Sequence, residues 1–188
     1  PYVVLTAIED VYNDYSPIVF ASEALRNDRD FVLAAVKRNG NTLDGVPDAF
    51  RKDREIVLAA VSARHGNALE YAWEFRMNRK IVLAAVRANG HALLFTTLLE
   101  NDTEVVMAAV RQNGEALQYA SDRLRNRRDI VLAAVGSNGY ALNYTSLRCS
   151  NDREVIYAAV RTHGLALQYA SQTLRYDHEI IRTAIDTV

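Results

Sequence analysis

The sequence predicts an all-α protein, a right-handed α-solenoid of short two-helix repeats with a period of about 25 residues. Three observations predict it. The apolar block Val32-Leu33-Ala34-Ala35-Val36 recurs at Ile56–Val61, Ile81–Val86, Val105–Val110, Ile130–Val135 and Val155–Val160. A glycine follows each block at nearly constant offset (Gly40, Gly66, Gly90, Gly114, Gly139, Gly164), with 24 to 26 residues between successive glycines. An aspartate or asparagine precedes each block but one, at Asp28, Asp53, Asn78, Asp102 and Asp152, and again at Asp177; Arg127 is the exception. Self-similarity at such a short fixed period marks a stacked array, in which each unit buries its apolar face against its neighbours.

The 188 residues therefore read as one repeat domain, 1–188: a partial repeat 1–27, repeats 28–52, 53–77, 78–101, 102–126, 127–151 and 152–176, and a partial or capping repeat 177–188. In the first partial repeat Val3 to Ile8 match the apolar block without the polar residues that precede it elsewhere, and Glu9 to Pro17 replace the usual Asn-Gly corner. That apolar end is expected to be covered by further chain or by a partner, because the terminal units of a solenoid need polar caps. In each full repeat the Asp or Asn suits a helix N-cap, whose side-chain oxygen accepts from an orphan backbone N–H. Two residues on, Asp30, Glu55, Glu104, Asp129, Glu154 and Glu179 place a negative charge at the positive end of the helix dipole; Lys80 breaks the rule.

The block itself is apolar all round, which predicts a helix covered on every side. The glycine then reads as the helix stop, at a position needing positive φ. After it, Ala68–Ala72, Ala116–Ala120, Ala141–Thr145 and Ala166–Ala170 predict a shorter second helix with its leucine and aromatic facing inward. Gly45, Val46 and Pro47 stand where Tyr-Ala-Ser is usual, and are expected to disrupt that helix in repeat 28–52. A further apolar anchor (Leu25, Phe50, Phe75, Leu99, Leu124, Cys149, Leu174) precedes the next cap. In the last repeat Arg182, Thr183, Asp186 and Thr187 make the helix more polar, as a cap would. A leucine-rich-repeat strand reading fits less well, since Ala-Ala is depleted in strands and capping acids belong to helices.

Composition narrows the function classes. With 22 basic and 23 acidic side chains the net charge is −1, which disfavours nucleic acid and membrane surfaces as partners. No run approaches the 18 or so apolar residues of a membrane span, and no charged-then-apolar leader is visible. An intracellular location is expected over a secreted one. The single cysteine, Cys149, occupies a slot that is leucine elsewhere, and reads as a small buried apolar side chain.

The stretches Asn101-Asp-Thr-Glu-Val-Val-Met-Ala-Ala-Val-Arg-Gln-Asn-Gly-Glu-Ala-Leu-Gln-Tyr-Ala-Ser121 and Asn151-Asp-Arg-Glu through Ser171 resemble the repeat of the family termed domain of unknown function 4116 (DUF4116). The resemblance covers essentially the whole chain and matches at many fixed positions, but it implies no activity. A looser similarity, in unit length and helix pairing, is to the leucine-rich repeat variant.

Candidate sites follow from the rows that repetition creates. His65, His91, His163 and His178 fall in four different repeats with no Cys or carboxylate cluster beside them, so no metal and no cofactor is expected. Asn39, Asn89, Asn113 and Asn138 either ladder onto backbone groups of the next repeat or simply serve as turn residues. Arg26, Arg51, Arg76, Arg125 and Arg175 form one basic row, and Arg29, Arg54, Arg79, Arg128 and Arg153 another; interleaved with the capping acids they predict a ladder of exposed ion pairs. Lys37, Arg87, Arg111 and Arg161, helped by Arg38 and Arg64, are the candidate anion row, with cations favoured in a helix's last turn as the plainer explanation.

Partner contact is sought where repeats disagree. The residue after each glycine is Asn41, Asn67, His91, Glu115, Tyr140 and Leu165, and Leu94 stands in the other variable row. No nucleophile motif, phosphate-cradling loop or catalytic carboxylate pair occurs in the sequence, so the chain is not expected to be an enzyme. The expected partners are other proteins, in the manner of a scaffold or a subunit of a multi-subunit complex. A single-stranded nucleic-acid reader with one repeat per nucleotide is the alternative.

Overall fold

The computed structural model describes residues 17–63 and 67–187, and every regular element among them is helical. Val3 to Ile8, Arg64, His65 and Gly66 lie outside the described residues. The chain falls into two compact units, Pro1–Thr97 and Leu98–Val188.

In both units the repeat begins with a long α-helix at the apolar block. These helices are Arg29–Arg38, Arg54–Val61 and Arg79–Ala88 in the first unit. In the second they are Thr103–Gln112, Arg128–Ser137, Arg153–Thr162 and His178–Ile185. Asp28, Asp53, Asp102, Asp152 and Asp177 each accept from the amides two and three residues on, as N-caps do. Arg127 caps nothing; its guanidinium instead pairs with Asp129 at 2.8 Å and donates to Thr103 Oγ1 at 3.0 Å.

The block is not covered on every side. Ile130, Val131, Ala134 and Val135 are buried, as are their counterparts in the other long helices before His178–Ile185, while Leu132 and Ala133 are half-exposed. Residues at i, i+1, i+4 and i+5 share one helix face, and i+2 and i+3 fall on the other. A partly exposed apolar stripe results, Leu33 and Leu58 in the first unit and Met107, Leu132 and Tyr157 in the second.

The second helix is a 3-10 helix, Gly40–Gly45 and Gly90–Phe95 in the first unit and Gly114–Tyr119, Gly139–Tyr144 and Gly164–Tyr169 in the second. Its leucine is buried, as at Leu43, Leu117 and Leu142, but Tyr119, Tyr144 and Tyr169 are only half-buried. Gly45 does not disrupt this helix, which has the same six residues as its counterparts. Pro47 falls just before the next element, where a missing N–H costs no helical hydrogen bond. The departure comes instead in repeat 53–77, where the long helix is shortened to Arg54–Val61 and the 3-10 helix to Ala68–Glu70.

The anchor residues lie on a third, one-turn element: Glu23–Arg26 and Asp48–Arg51 in the first unit, Asp122–Arg125 and Leu147–Ser150 in the second. Leu124 and Cys149 are buried there. In repeat 78–101, one residue shorter than most, Leu98 takes a φ of 66°. Left-handed backbone of this kind costs a non-glycine residue about 1–2 kcal/mol.

The glycine works by close approach. Gly40, Gly114 and Gly139 all lie outside the left-handed region, so positive φ is not what selects them. The residue before each is extended, with φ of −143° at Asn39, −148° at Asn113 and −151° at Asn138. A Cβ on Gly139 would collide with the carbonyl oxygen of Ala159 in the next repeat and stand 2.9 Å from Thr162 Oγ1. The same clash awaits Gly40 against Ala60 and Gly114 against Ala134. The backbone of one repeat thus rests directly on the long helix of the next.

Candidate interaction surface

Repeats are joined by polar contacts that use up many of the candidate rows. Arg29 donates to Asp53 at 3.1 Å and Glu55 at 2.7 Å, the cap and second helical residue of the next repeat. Arg128 makes the same fork to Asp152, at 2.8 Å, and Glu154; Arg153 makes it to Asp177, at 3.1 Å, and Glu179. The predicted ladder is therefore present at Arg29, Arg128 and Arg153, and each of these rungs ties two helix starts together. The hydrogen bond from Arg128 holds the Asp152 carboxyl below its ordinary pKa, and Arg153 does the same for Asp177.

A carboxyl with a lowered folded pKa binds its proton more readily in the unfolded chain. Its contribution is present above the unfolded value and lost as pH falls below it. The urea midpoint is expected to hold from neutral pH to about 5 and to drop between about pH 4 and 2. Replacing both Arg128 and Arg153 by alanine should flatten that drop; an unchanged acid profile would contradict the assignment.

In the other arginine row, Arg51 and Arg76 satisfy backbone within their own repeats. Arg51 donates to the carbonyls of Asp44, at 2.8 Å, and Val46, at 3.2 Å, and Arg76 to those of Leu69 and Glu70. Serines before the one-turn helix add ties to the preceding repeat: Ser121 to Asn101 at 2.9 Å and Ser171 to Asn151 at 2.8 Å.

The Asn row and the post-glycine row meet each other. Asn39, Asn113 and Asn138 accept from the amide two residues on, capping the 3-10 helix. Between repeats, Asn41 accepts from the Asn67 amide at 2.8 Å, Asn67 from the Asn89 side chain at 2.7 Å, and Glu115 from Asn138 at 3.1 Å. His163 takes the Asn slot; its Nδ1 accepts from the Gly139 amide at 3.2 Å and its ring lies 4.8 Å from that of Tyr140. The scaffold therefore uses Asn41, Asn67, Glu115 and Tyr140, and His91 is half-buried. Leu94 and Leu165 alone of the candidate partner residues present exposed apolar side chains.

Lys37 and Arg87 in the first unit and Arg111 and Arg161 in the second are all exposed, each at the end of its own long helix. Ser62 and Gly136 interrupt the row. The described histidines His91, His163 and His178 lie in three separate repeats, and no group of three or more metal-ligating side chains occurs among the described residues. No helix among the described residues is long and apolar enough to cross a membrane.

Residues outside both candidate rows are the most exposed apolar ones. Trp73 is 63% exposed and Met77 60%, four residues apart in the first unit. The Lys52 ammonium lies 5.6 Å from the Trp73 ring centre while pairing with Glu74 at 2.9 Å, so the ring is flanked but its outer face is free of cover. Leu147 is the counterpart of Trp73 in the second unit, and is likewise exposed. The signal for them is in the sequence: the Trp73 slot holds Glu23, Asp48, Asp122 or Gln172 in other repeats, and the Met77 slot holds Asn27, Lys52, Asn101, Asn126 or Asn151, with Tyr176 the other departure. A large apolar residue in a slot that is polar elsewhere is more telling than variation in a row with no preference.

Among known proteins, the family model described as a domain of unknown function (DUF4116) matches residues 2–51, 37–72, 53–98, 102–148 and 152–187. No curated protein and no solved structure matches the chain. Five matches that together span nearly the whole chain place it in the DUF4116 family.

Proposed function

We propose that the protein is a non-catalytic scaffold for protein interaction, or a structural subunit of a larger assembly, and that Trp73 and Met77 are its principal anchor in the first unit. The observation that carries this reading is the pair's exposure, 63% at Trp73 and 60% at Met77, in slots that are mostly polar in the other repeats. Tryptophan is the residue most enriched at binding hot spots, where one large ring fills a pocket on the partner. Leu94 in the first unit and Leu147 and Leu165 in the second extend the apolar contact area of their units. The near-neutral charge and the half-buried turn tyrosines favour a protein partner over single-stranded nucleic acid, which needs a basic track and free stacking faces.

Affinity purification of tagged protein from its native source tests the reading. Trp73→Ala with Met77→Ala should reduce recovery of the principal partner at least about tenfold, while leaving stability within about 0.5 kcal/mol of the parent. Recovery of the same proteins in the same amounts would overturn it. Oligonucleotide binding that weakens steeply with salt would favour the alternative.

A further inference from the structure

We propose that the outward face of the long helices in the second unit binds a peptide segment of polyproline II form, apolar along one edge and acidic along the next, laid across successive repeats. Thr103–Gln112 packs beside Arg128–Ser137, and Arg128–Ser137 beside Arg153–Thr162. On their outward face Met107, Leu132 and Tyr157 stand in one row, each followed by an alanine, and all six residues are half-exposed. Stacking does not dictate this row. The buried slots of the same helices hold only Val, Ile or Ala, as at Val105, Ile130 and Val155, whereas the outward slot holds a thioether, an isobutyl group and a phenol. What these three share is size and apolar surface, which a contact requires and a fixed core shape does not. Methionine and tyrosine are both enriched where proteins bind one another.

The two borders of the row differ in charge. Toward the helix starts the acids are already taken: Asp129 pairs with Arg127 at 2.8 Å, and Glu154 pairs with Arg128. One turn beyond the row, toward the helix ends, Arg111 and Arg161 are exposed, and among the described residues neither guanidinium has a hydrogen-bond or ion-pair partner. A cation in a helix's last turn is favourable by itself, which accounts for each arginine singly. It does not account for free cations running beside an exposed apolar row. Between them, on the middle helix, Gly136 is exposed and a Cβ added there would meet nothing within 4 Å.

Spacing sets the form of the ligand. Packed helices lie about 8–10 Å apart, so the row offers one large apolar side chain at each such step. A polyproline II chain has about three residues per turn and rises about 3.1 Å per residue, so every third residue returns to the same edge after about 9 Å. Apolar residues at that interval meet Met107, Leu132 and Tyr157 in turn, and an acid in each triplet lines the neighbouring edge, toward Arg111 and Arg161. In a β-strand, third neighbours point to opposite faces and cannot follow the row. The alanines beside the row leave room for so thin a chain to lie close to the helices. Such a chain keeps its shape when free, so little ordering entropy opposes its binding.

Fluorescence anisotropy of a labelled peptide of three Leu-Pro-Glu triplets, titrated with the full chain, tests this. Binding is expected with a dissociation constant of about 10–500 µM. Arg111→Glu with Arg161→Glu, both at exposed positions and with unchanged circular dichroism, should weaken it at least about tenfold. Gly136→Arg completes the cation row on an open face and should tighten it about threefold, the worth of one exposed ion pair. A peptide of Leu-Pro-Lys triplets, or one of the same residues as the first in scrambled order, should bind at least about tenfold more weakly. No binding up to about 1 mM overturns the proposal. So does equal binding of the lysine or scrambled peptide, indifference to the double charge reversal, or a Gly136→Arg chain that binds no tighter. The proposal rests on the scaffold reading only in taking a polypeptide as the ligand. A chain that ignores the peptide but still recovers its partner through Trp73 would sink the peptide site alone; a chain that binds the peptide yet is indifferent to Trp73 would sink only the anchor.

Discussion

Gly139→Ala is expected to destabilise the second unit by about 3 kcal/mol, the upper part of the usual range for overpacking. The added methyl meets backbone, the carbonyl of Ala159, and cannot be relieved by a rotamer change. Relief requires the next long helix to move away, which uncovers Ile156 and Val160 behind it. Gly136→Ala is the matched control. It lies within the helix Arg128–Ser137 with nothing within 4 Å of the new methyl, so it should stabilise by about 0.5–1 kcal/mol through helix propensity. Urea unfolding of the two variants should therefore move in opposite directions; a Gly139→Ala midpoint equal to the parent's would refute the close-approach account.

Leu117→Ala should cost about 3 kcal/mol, the loss of a fully buried leucine plus the cavity left behind. Its turn, Gly114–Tyr119, touches the long helices Thr103–Gln112 and Arg128–Ser137 and the next turn, so no single neighbour can move to fill the gap. Leu147→Ala, at an exposed position, should stay within about 0.5 kcal/mol of the parent. Because a repeat contacts chiefly its neighbours, hydrogen exchange in Leu117→Ala should accelerate first across residues 103–144. Uniform acceleration over the unit would show that the repeats melt as one body.

Much of this was legible in the residues. Asp152 and Glu154 read as cap and dipole partner, and Arg128 as part of an interleaved ladder, because these roles depend on local spacing and on the short distance between stacked units. The role of Gly139 was not legible, since a glycine fixed by positive φ and one fixed by a neighbour's carbonyl look the same in sequence. Nor was the 3-10 form of Gly114–Tyr119: its Ala-Leu-x-Tyr spacing suits three or 3.6 residues per turn equally over so short a run. Asn41 and Glu115 varied in chemistry yet were needed, because an amide and a carboxylate can accept the same kind of hydrogen bond. Trp73 is legible only as a broken polar preference in its slot, which the variation between repeats does not mark by itself.

The fork from Arg128 to Asp152 and Glu154 points one way along the chain, from each repeat to its successor, and Arg153 repeats it with Asp177 and Glu179. Repeat 152–176 therefore carries the donor for its downstream neighbour and the acceptors for its upstream one, like a plug and a socket on the same part. Duplicating repeat 152–176 would leave its junctions chemically matched, since Arg153 of one copy would meet Asp152 and Glu154 of the next. Inserting a single residue would misalign the plug, the glycine and the buried leucine together. Such a gene can grow or shrink by whole repeats while its outward residues diverge one at a time.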